Sequence, residues 1–158
     1  MDLLYNELTA SFPTQAQALR ILVCLLAALV VGAIVGYERE KTGKSAGLRT
    51  HMLVATSSAL FVLGPNEAGM SSDSISRVIQ GVAAGIGFIG AGAILKRGDE
   101  HEIKGLTTAA GIWFTAAAGL AAGLGRVGLA IGAAILAWII LRVLERVDLQ
   151  IDHEKPHK

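Results

Sequence analysis

The sequence predicts an all-α protein, a polytopic bundle of five transmembrane helices. Three observations carry that expectation. Five apolar runs fill most of the 158 residues. The runs are continuous and do not alternate every second residue, which excludes a transmembrane barrel. Charged residues make up only 17% of the chain, where a soluble domain of this size carries about a quarter. A hydrocarbon core needs about 17–25 apolar residues per helix, and the runs Ile21–Tyr37, roughly Leu48–Gly64, Val78–Leu95, Leu106–Leu124 and Val127–Leu144 supply them.

The elements follow in order. Residues 1–17 form an amino-terminal periplasmic segment. They hold Asp2 and Glu7 and no Lys or Arg, so they lack the basic region of a secretory signal. The first apolar run is therefore expected to stay as a helix. Glu38-Arg39-Glu40-Lys41 should end it, because four successive ionisable residues are costly in hydrocarbon. Gly43 and Gly47 make the next connection a tight turn. Gly64-Pro65-Asn66 should stop helix 2, and Asp73 is a candidate cap for helix 3. Residues 98–102, Gly-Asp-Glu-His-Glu, read as a solvated loop. Helices 4 and 5, separated by Gly125-Arg126, should form a tight antiparallel hairpin. The five-helix domain spans 18–144. Residues 145–158 are a short cytoplasmic tail, suited to a helical extension or a lone strand and too short for a core of its own.

Positive charge sets the orientation. Eleven of the fourteen Lys and Arg residues fall in the first gap, the third gap and the tail. The positive-inside rule then puts the amino terminus outside and the carboxyl terminus in the cytoplasm of an inner membrane. The net charge of +1, with no basic patch interleaved with aromatics, gives no nucleic-acid surface. The single cysteine, Cys24, makes no intrachain disulfide and reads as a small buried hydrophobe.

Nineteen glycines suit close helix packing in lipid, where bulk hydrophobicity cannot drive association. On helix 3, Gly81, Gly85 and Gly92 share one face, while Gly87, Gly90 and Ala91 make a second smooth stripe. That helix is expected at the bundle centre or at a dimer seam. Helix 4 presents Thr108, Gly111, Thr115, Gly119 and Ala122 on one face. Helix 1 has Gly32 and Gly36, and helix 5 has Gly128 and Gly132, each pair four residues apart.

The chemistry concentrates where helix 1 meets helix 2. Glu38, Arg39, Glu40, Arg49 and His51 gather there. Arg49 in the first turn of helix 2 needs to snorkel or pair, and Glu38 is its natural partner. One reading is an anchor with a salt bridge; the other is an ion-binding or gating vestibule. Gln80 is placed to hydrogen-bond a neighbouring helix. Thr56, Ser57, Ser58, Thr107, Thr108 and Thr115 are candidates to line a polar path, although hydroxyls in membrane helices more often bond the backbone one turn earlier. Asp99, Glu100 and Glu102 join Glu38 and Glu40 as five carboxylates on the cytoplasmic side. Mg²⁺ favours a few carboxylates with retained waters, and a solvated loop uses the same residues. Trp113 lies about 10 Å into helix 4 by helical rise and is expected to pack between helices. No catalytic arrangement, Walker loop or metalloprotease motif is present, so the chain reads as no enzyme and as needing no cofactor. Gly85-x-Gly87-x-x-Gly90 matches a dinucleotide fingerprint as a string, but a membrane span is the wrong context for it.

Four ordered strings resemble the MgtC/SapB family of bacterial membrane proteins: Gly36-Tyr37-Glu38-Arg39-Glu40, Lys44-Ser45-Ala46-Gly47-Leu48-Arg49-Thr50-His51, Gly85-Ile86-Gly87-Phe88-Ile89-Gly90-Ala91-Gly92, and Lys104 through Trp113. The resemblance covers roughly residues 18–144. It implies a five-helix inner-membrane domain tied to magnesium homeostasis, with Mg²⁺ as the ion concerned. The best-known members support survival at low Mg²⁺ and are thought to restrain the F-type ATP synthase. This sequence departs from them at Thr107, where they have Asn, at Phe114, where they have Cys, and in showing no soluble carboxyl-terminal domain, as the shorter SapB-like branch does. The expected function is that of a non-enzymatic regulator or adaptor, the alternative a transporter or channel. The expected partners are the lipid bilayer, a second copy of the chain in a homodimer, and another membrane complex. Glu38, Arg49 and the Thr107-Thr108 region, with Trp113 nearby, would form the functional face.

Overall fold

The computed structural model describes residues 13–96 and 103–153. Five helices account for nearly all of them: α1 (Gln15–Lys41), α2 (Leu48–Glu67), α3 (Ser72–Gly92), α4 (Leu106–Gly123) and α5 (Val127–His153). Two two-residue strands, β1 (Leu95–Lys96) and β2 (Ile103–Lys104), pair antiparallel between α3 and α4. This ribbon was not expected from the sequence, which extended helix 3 to Leu95.

Thr14 starts α1 through a capping box. Its hydroxyl accepts from the Gln17 amide, and the Gln17 side chain accepts from the Thr14 amide at 2.9 Å. The helix then runs through the four ionisable residues and ends with the last of them, Lys41. Helix α2 runs past the expected stop, with Pro65 inside its last turn. Proline has no N–H and cannot bond the carbonyl one turn back, and the helix ends two residues after it, at Glu67. The cap of α3 is Ser71, whose hydroxyl accepts from the Ser74 amide. Asp73 sits in the first turn instead, where its negative charge faces the positive helix end. The α4–α5 hairpin forms as expected, with Gly125 at φ +77°. The tail continues α5 as helix to His153.

By length and composition α1, α3 and α4 qualify to cross a membrane, and α5 adds the shorter apolar stretch Val127–Val143. Helix α2 does not qualify among the described residues. It carries Arg49, His51, Thr56, Ser57 and Ser58, and its most apolar requirement is relaxed because α1 and α4 flank it.

The core is built from small side chains. Cys24, Ala28, Val31 and Val35 of α1 meet Ala55, Ala59 and Leu63 of α2, Ala118 and Ala122 of α4, and Ala130, Ala134 and Ala137 of α5. Helix α3 has no place in that cluster. It touches a second, smaller one through Ile86, with Ala46, Ile112 and Ala116. The expectation of α3 at the bundle centre is therefore overturned within the chain. Gly81, Gly85, Gly87 and Gly92 have open space where a Cβ would stand, and only Gly90 faces a neighbour, Ala109. Gly128 and Gly132 are equally open.

The close approaches lie elsewhere. A Cβ on Gly32 would strike the backbone of His51 and Met52, and one on Gly36 would reach the Leu48 Cα at 2.8 Å. On α4, Gly119 sits against the Ala55 backbone and Gly123 against Ala59 and Val62. Helices α1 and α4 thus clamp α2 from two sides through backbone-to-backbone contact, which is how helices associate when lipid is as apolar as leucine.

Candidate functional site

The clamp closes on charge. Glu38 and Arg39, in the last turns of α1, are each only 2% exposed. The Arg39 Nε donates to Glu38 Oε2 at 2.5 Å. Burying both partners together is what makes the burial tolerable, because an isolated ion in a low-dielectric interior is strongly unfavourable. The expected partner, Arg49, is exposed on the first turn of α2. The correction has a geometric cause. Arg39 turns inward with Glu38 on the same helix, while Arg49 follows Leu48 on the outer side of the turn. The anchor reading of a Glu38–Arg49 bridge is thereby removed, and a buried pair within α1 replaces it.

His51, fully buried, stands beside this pair. Its Nδ1 lies 2.8 Å from the Thr115 hydroxyl of α4. The ring fits because its neighbours lack side chains. A Cβ on Gly36 would come within 3.0 Å of the His51 Cβ, and one on Gly111 within 3.5 Å of its Cε1. Gly111 is therefore a packing glycine, as the sequence suggested, and its partner is an imidazole rather than a backbone. Two buried atoms of the cluster, Glu38 Oε1 and His51 Nε2, have no hydrogen-bond partner among the described residues. Thr56 Oγ1, deeper in α2, is in the same condition.

Glu40 has a separate task. Its Oε2 accepts the Leu48 amide at 2.7 Å, capping α2, whose own N-cap residue Gly47 has no side chain to do so. Gly47 is needed there because a Cβ would collide with that carboxylate. The α1–α2 turn is further stitched by Lys44 N–H donating to the Arg39 carbonyl at 3.0 Å.

The remaining candidates divide. Thr108 is buried and Thr107 exposed. Trp113 is 52% exposed and does not pack between helices. It lies about two residues around the helix from Gly111 and Thr115, on the far side of α4 from the clamp. Gln80 is exposed on α3. Asp99, Glu100 and Glu102 lie outside the described residues. Thr115, which the sequence left among generic hydroxyls, is the buried hydrogen-bond partner of His51; the signal was its place on the Gly111–Gly119 face.

Among the described residues, the buried cluster does not suit a resident Mg²⁺. Among the described residues no three His, Cys, Asp or Glu side chains come together. Magnesium asks for carboxylates and waters in an octahedron, and the only carboxylate at the buried cluster is already neutralised by Arg39. What the arrangement does is hold a charge pair and an imidazole at the seam of three helices, with two hydrogen-bonding positions still unused.

Comparison with known proteins bears on this same stretch. The MgtC family matches residues 25–149, from the first apolar helix to the end of the last. The chain belongs to the MgtC family. Among its relatives, protein SrpB of Synechococcus elongatus is 51% identical over 112 residues, covering 64% of this chain and 62% of that protein. YhiD of Escherichia coli K12, described as a candidate magnesium transporter, is 40% identical over 147 residues, 87% of this chain and 66% of that one. Protein MgtC of Salmonella typhimurium is 43% identical over 121 residues, 75% and 51% respectively. The chain thus spans between about half and two thirds of the length of these relatives. No solved structure matches. All members of the buried cluster, Gly36, Glu38, Arg39, His51, Gly111 and Thr115, fall within the family match.

Proposed function

We propose that this chain is a multi-pass inner-membrane protein that takes part in magnesium homeostasis as a non-enzymatic regulator or adaptor of a membrane partner. The observation that supports this reading is the closed seam of α1, α2 and α4. Backbones meet at Gly32, Gly119 and Gly123, and the buried Glu38–Arg39 pair neutralises itself. Such a seam suits a fixed scaffold better than a path for a hydrated divalent ion, which gives up its waters reluctantly. The amino terminus is assigned outside and the carboxyl terminus inside from the Lys and Arg distribution. The open face of α3 is assigned to a second copy of the chain.

Direct transport is the second reading. Glu38 Oε1, His51 Nε2 and Thr56 Oγ1, all buried without partners, favour it, since such atoms mark places where water or an ion is accommodated. Reconstitution decides between the two. Mg²⁺, then H⁺ and K⁺, are followed with internal dyes in liposomes, with Glu38→Gln as control. The regulator reading expects no flux from folded, correctly inserted protein. Flux abolished by Glu38→Gln would replace it with transport.

A further inference from the structure

A shallow apolar groove of about 640 Å³ runs between α1 and α5. Val30, Ile34 and Tyr37 form one wall, Ile135 and Trp138 the other, and Leu48 of α2 closes the end. Apart from the Tyr37 hydroxyl and the Trp138 N–H, these side chains are hydrocarbon. One turn beyond the groove, the Arg142 guanidinium lies 5.7 Å from the centre of the Trp138 ring. Ile135, Trp138 and Arg142 are spaced i, i+3 and i+7, so they share one face of α5. The groove therefore ends in a cation held over an aromatic ring, an arrangement that fixes a guanidinium in place. Among the described residues, further cations stand at that end of the molecule. Lys41, Lys44 and Arg49 are exposed there. Among the described residues there, exposed Glu40 is an opposing charge, and its Oε2 is engaged by the Leu48 amide.

From this we infer that the α1–α5 groove binds an acidic phospholipid, with an acyl chain along Val30, Ile34 and Ile135 and the phosphate on Arg142. The apolar walls match a fatty-acyl chain. Tyr37 and Trp138 have the amphipathic rings that sit at headgroup level. Arg142, with Lys41 and Arg49 exposed at the same end, favours an anionic over a zwitterionic headgroup. This site is independent of whether the chain regulates or transports.

The tryptophans allow a direct test, since the chain has two, Trp113 and Trp138, on different helices. The full chain carrying Trp113→Phe is placed in mixed vesicles, and Trp138 fluorescence is quenched with brominated phosphatidylglycerol or brominated phosphatidylcholine at equal bromine. A selective site gives Trp138 about a fivefold preference for the acidic lipid, the effect of one well-placed cation near the surface. Arg142→Gln should bring that ratio close to one. In the reciprocal Trp138→Phe protein, Trp113 should show a ratio near one throughout, and circular dichroism of each variant in the vesicles reports that it is folded. Equal quenching of Trp138 by both lipids overturns the proposal, as does a preference that survives Arg142→Gln. Protection of Trp138 from both lipids would mean a second copy fills the groove, and would overturn it too. Should Arg142→Gln fail to insert, loss of the preference in high salt is required in its place.

Discussion

Helices α3 and α4 are equally apolar and both rich in small residues, yet their fates differ. In its most apolar stretch α4 is 56% buried and α3 only 11%. The difference lies in what the glycines meet. Gly119 and Gly123 press on the backbone of α2, whereas Gly81, Gly85 and Gly87 face open space. A glycine stripe is thus a capacity for close approach, and whether it is used depends on the facing helix. Ala55 and Ala59 offer α4 a smooth partner. Across from Gly81 and Gly85, α2 presents the bulkier Leu53 and Phe61, and a cavity of about 710 Å³ stays between the two helices.

Several substitutions would break or sharpen that contrast. Arg39→Ala should have the largest effect, destabilising the bundle by about 3–5 kcal/mol because Glu38 is left buried and unpaired. Unfolding in mixed detergent micelles measures it, and replacing both residues with apolar ones of similar size should recover most of the loss. Arg49→Ala, on the exposed side of the turn, should change stability by less than about 0.5 kcal/mol; a large loss would restore the Glu38–Arg49 bridge. Next in size is Gly119→Leu, which must push α4 off Ala55 and should destabilise by about 3 kcal/mol or lead to failed assembly. The matched Gly85→Leu should leave the single chain within about 0.5 kcal/mol. If it also dissolves a crosslinked dimer, the open stripe of α3 is a subunit seam. Thr115→Val removes the His51 hydrogen bond and should cost about 1 kcal/mol. Trp113→Phe should be nearly silent, and a loss as large as that of Thr115→Val would contradict the outward-facing ring.

The five helices were legible because continuous apolar runs and charge gaps are properties of single segments. So was the face of α4, since Thr108, Gly111, Thr115, Gly119 and Ala122 are all buried. The position of Trp113 followed from the same wheel, but depth was weighed there instead of direction. The site was legible by region and not by pairing. Glu38, Arg39 and His51 were singled out, while the choice of Arg39 over Arg49 depends on how α1 and α2 cross at Gly32 and Gly36. The bundle-centre alternative for α3 failed for the same reason. A pattern on one helix says nothing about which neighbour arrives, and the β1–β2 ribbon, only four residues, leaves no periodic trace.

The pairing of Glu38 with its sequence neighbour has a consequence for biogenesis. A salt bridge between α1 and α2 would have to wait until the second helix left the ribosome, leaving a bare carboxylate in the bilayer meanwhile. Arg39 is the next residue added after Glu38, so the two charges enter lipid together, as a unit of nearly zero net charge. The Glu40 cap on Leu48 then lets α2 start as soon as the turn is made. The charged end of the first hairpin can thus be laid down before α4 is synthesised, with Thr115 arriving later to meet an imidazole already in position.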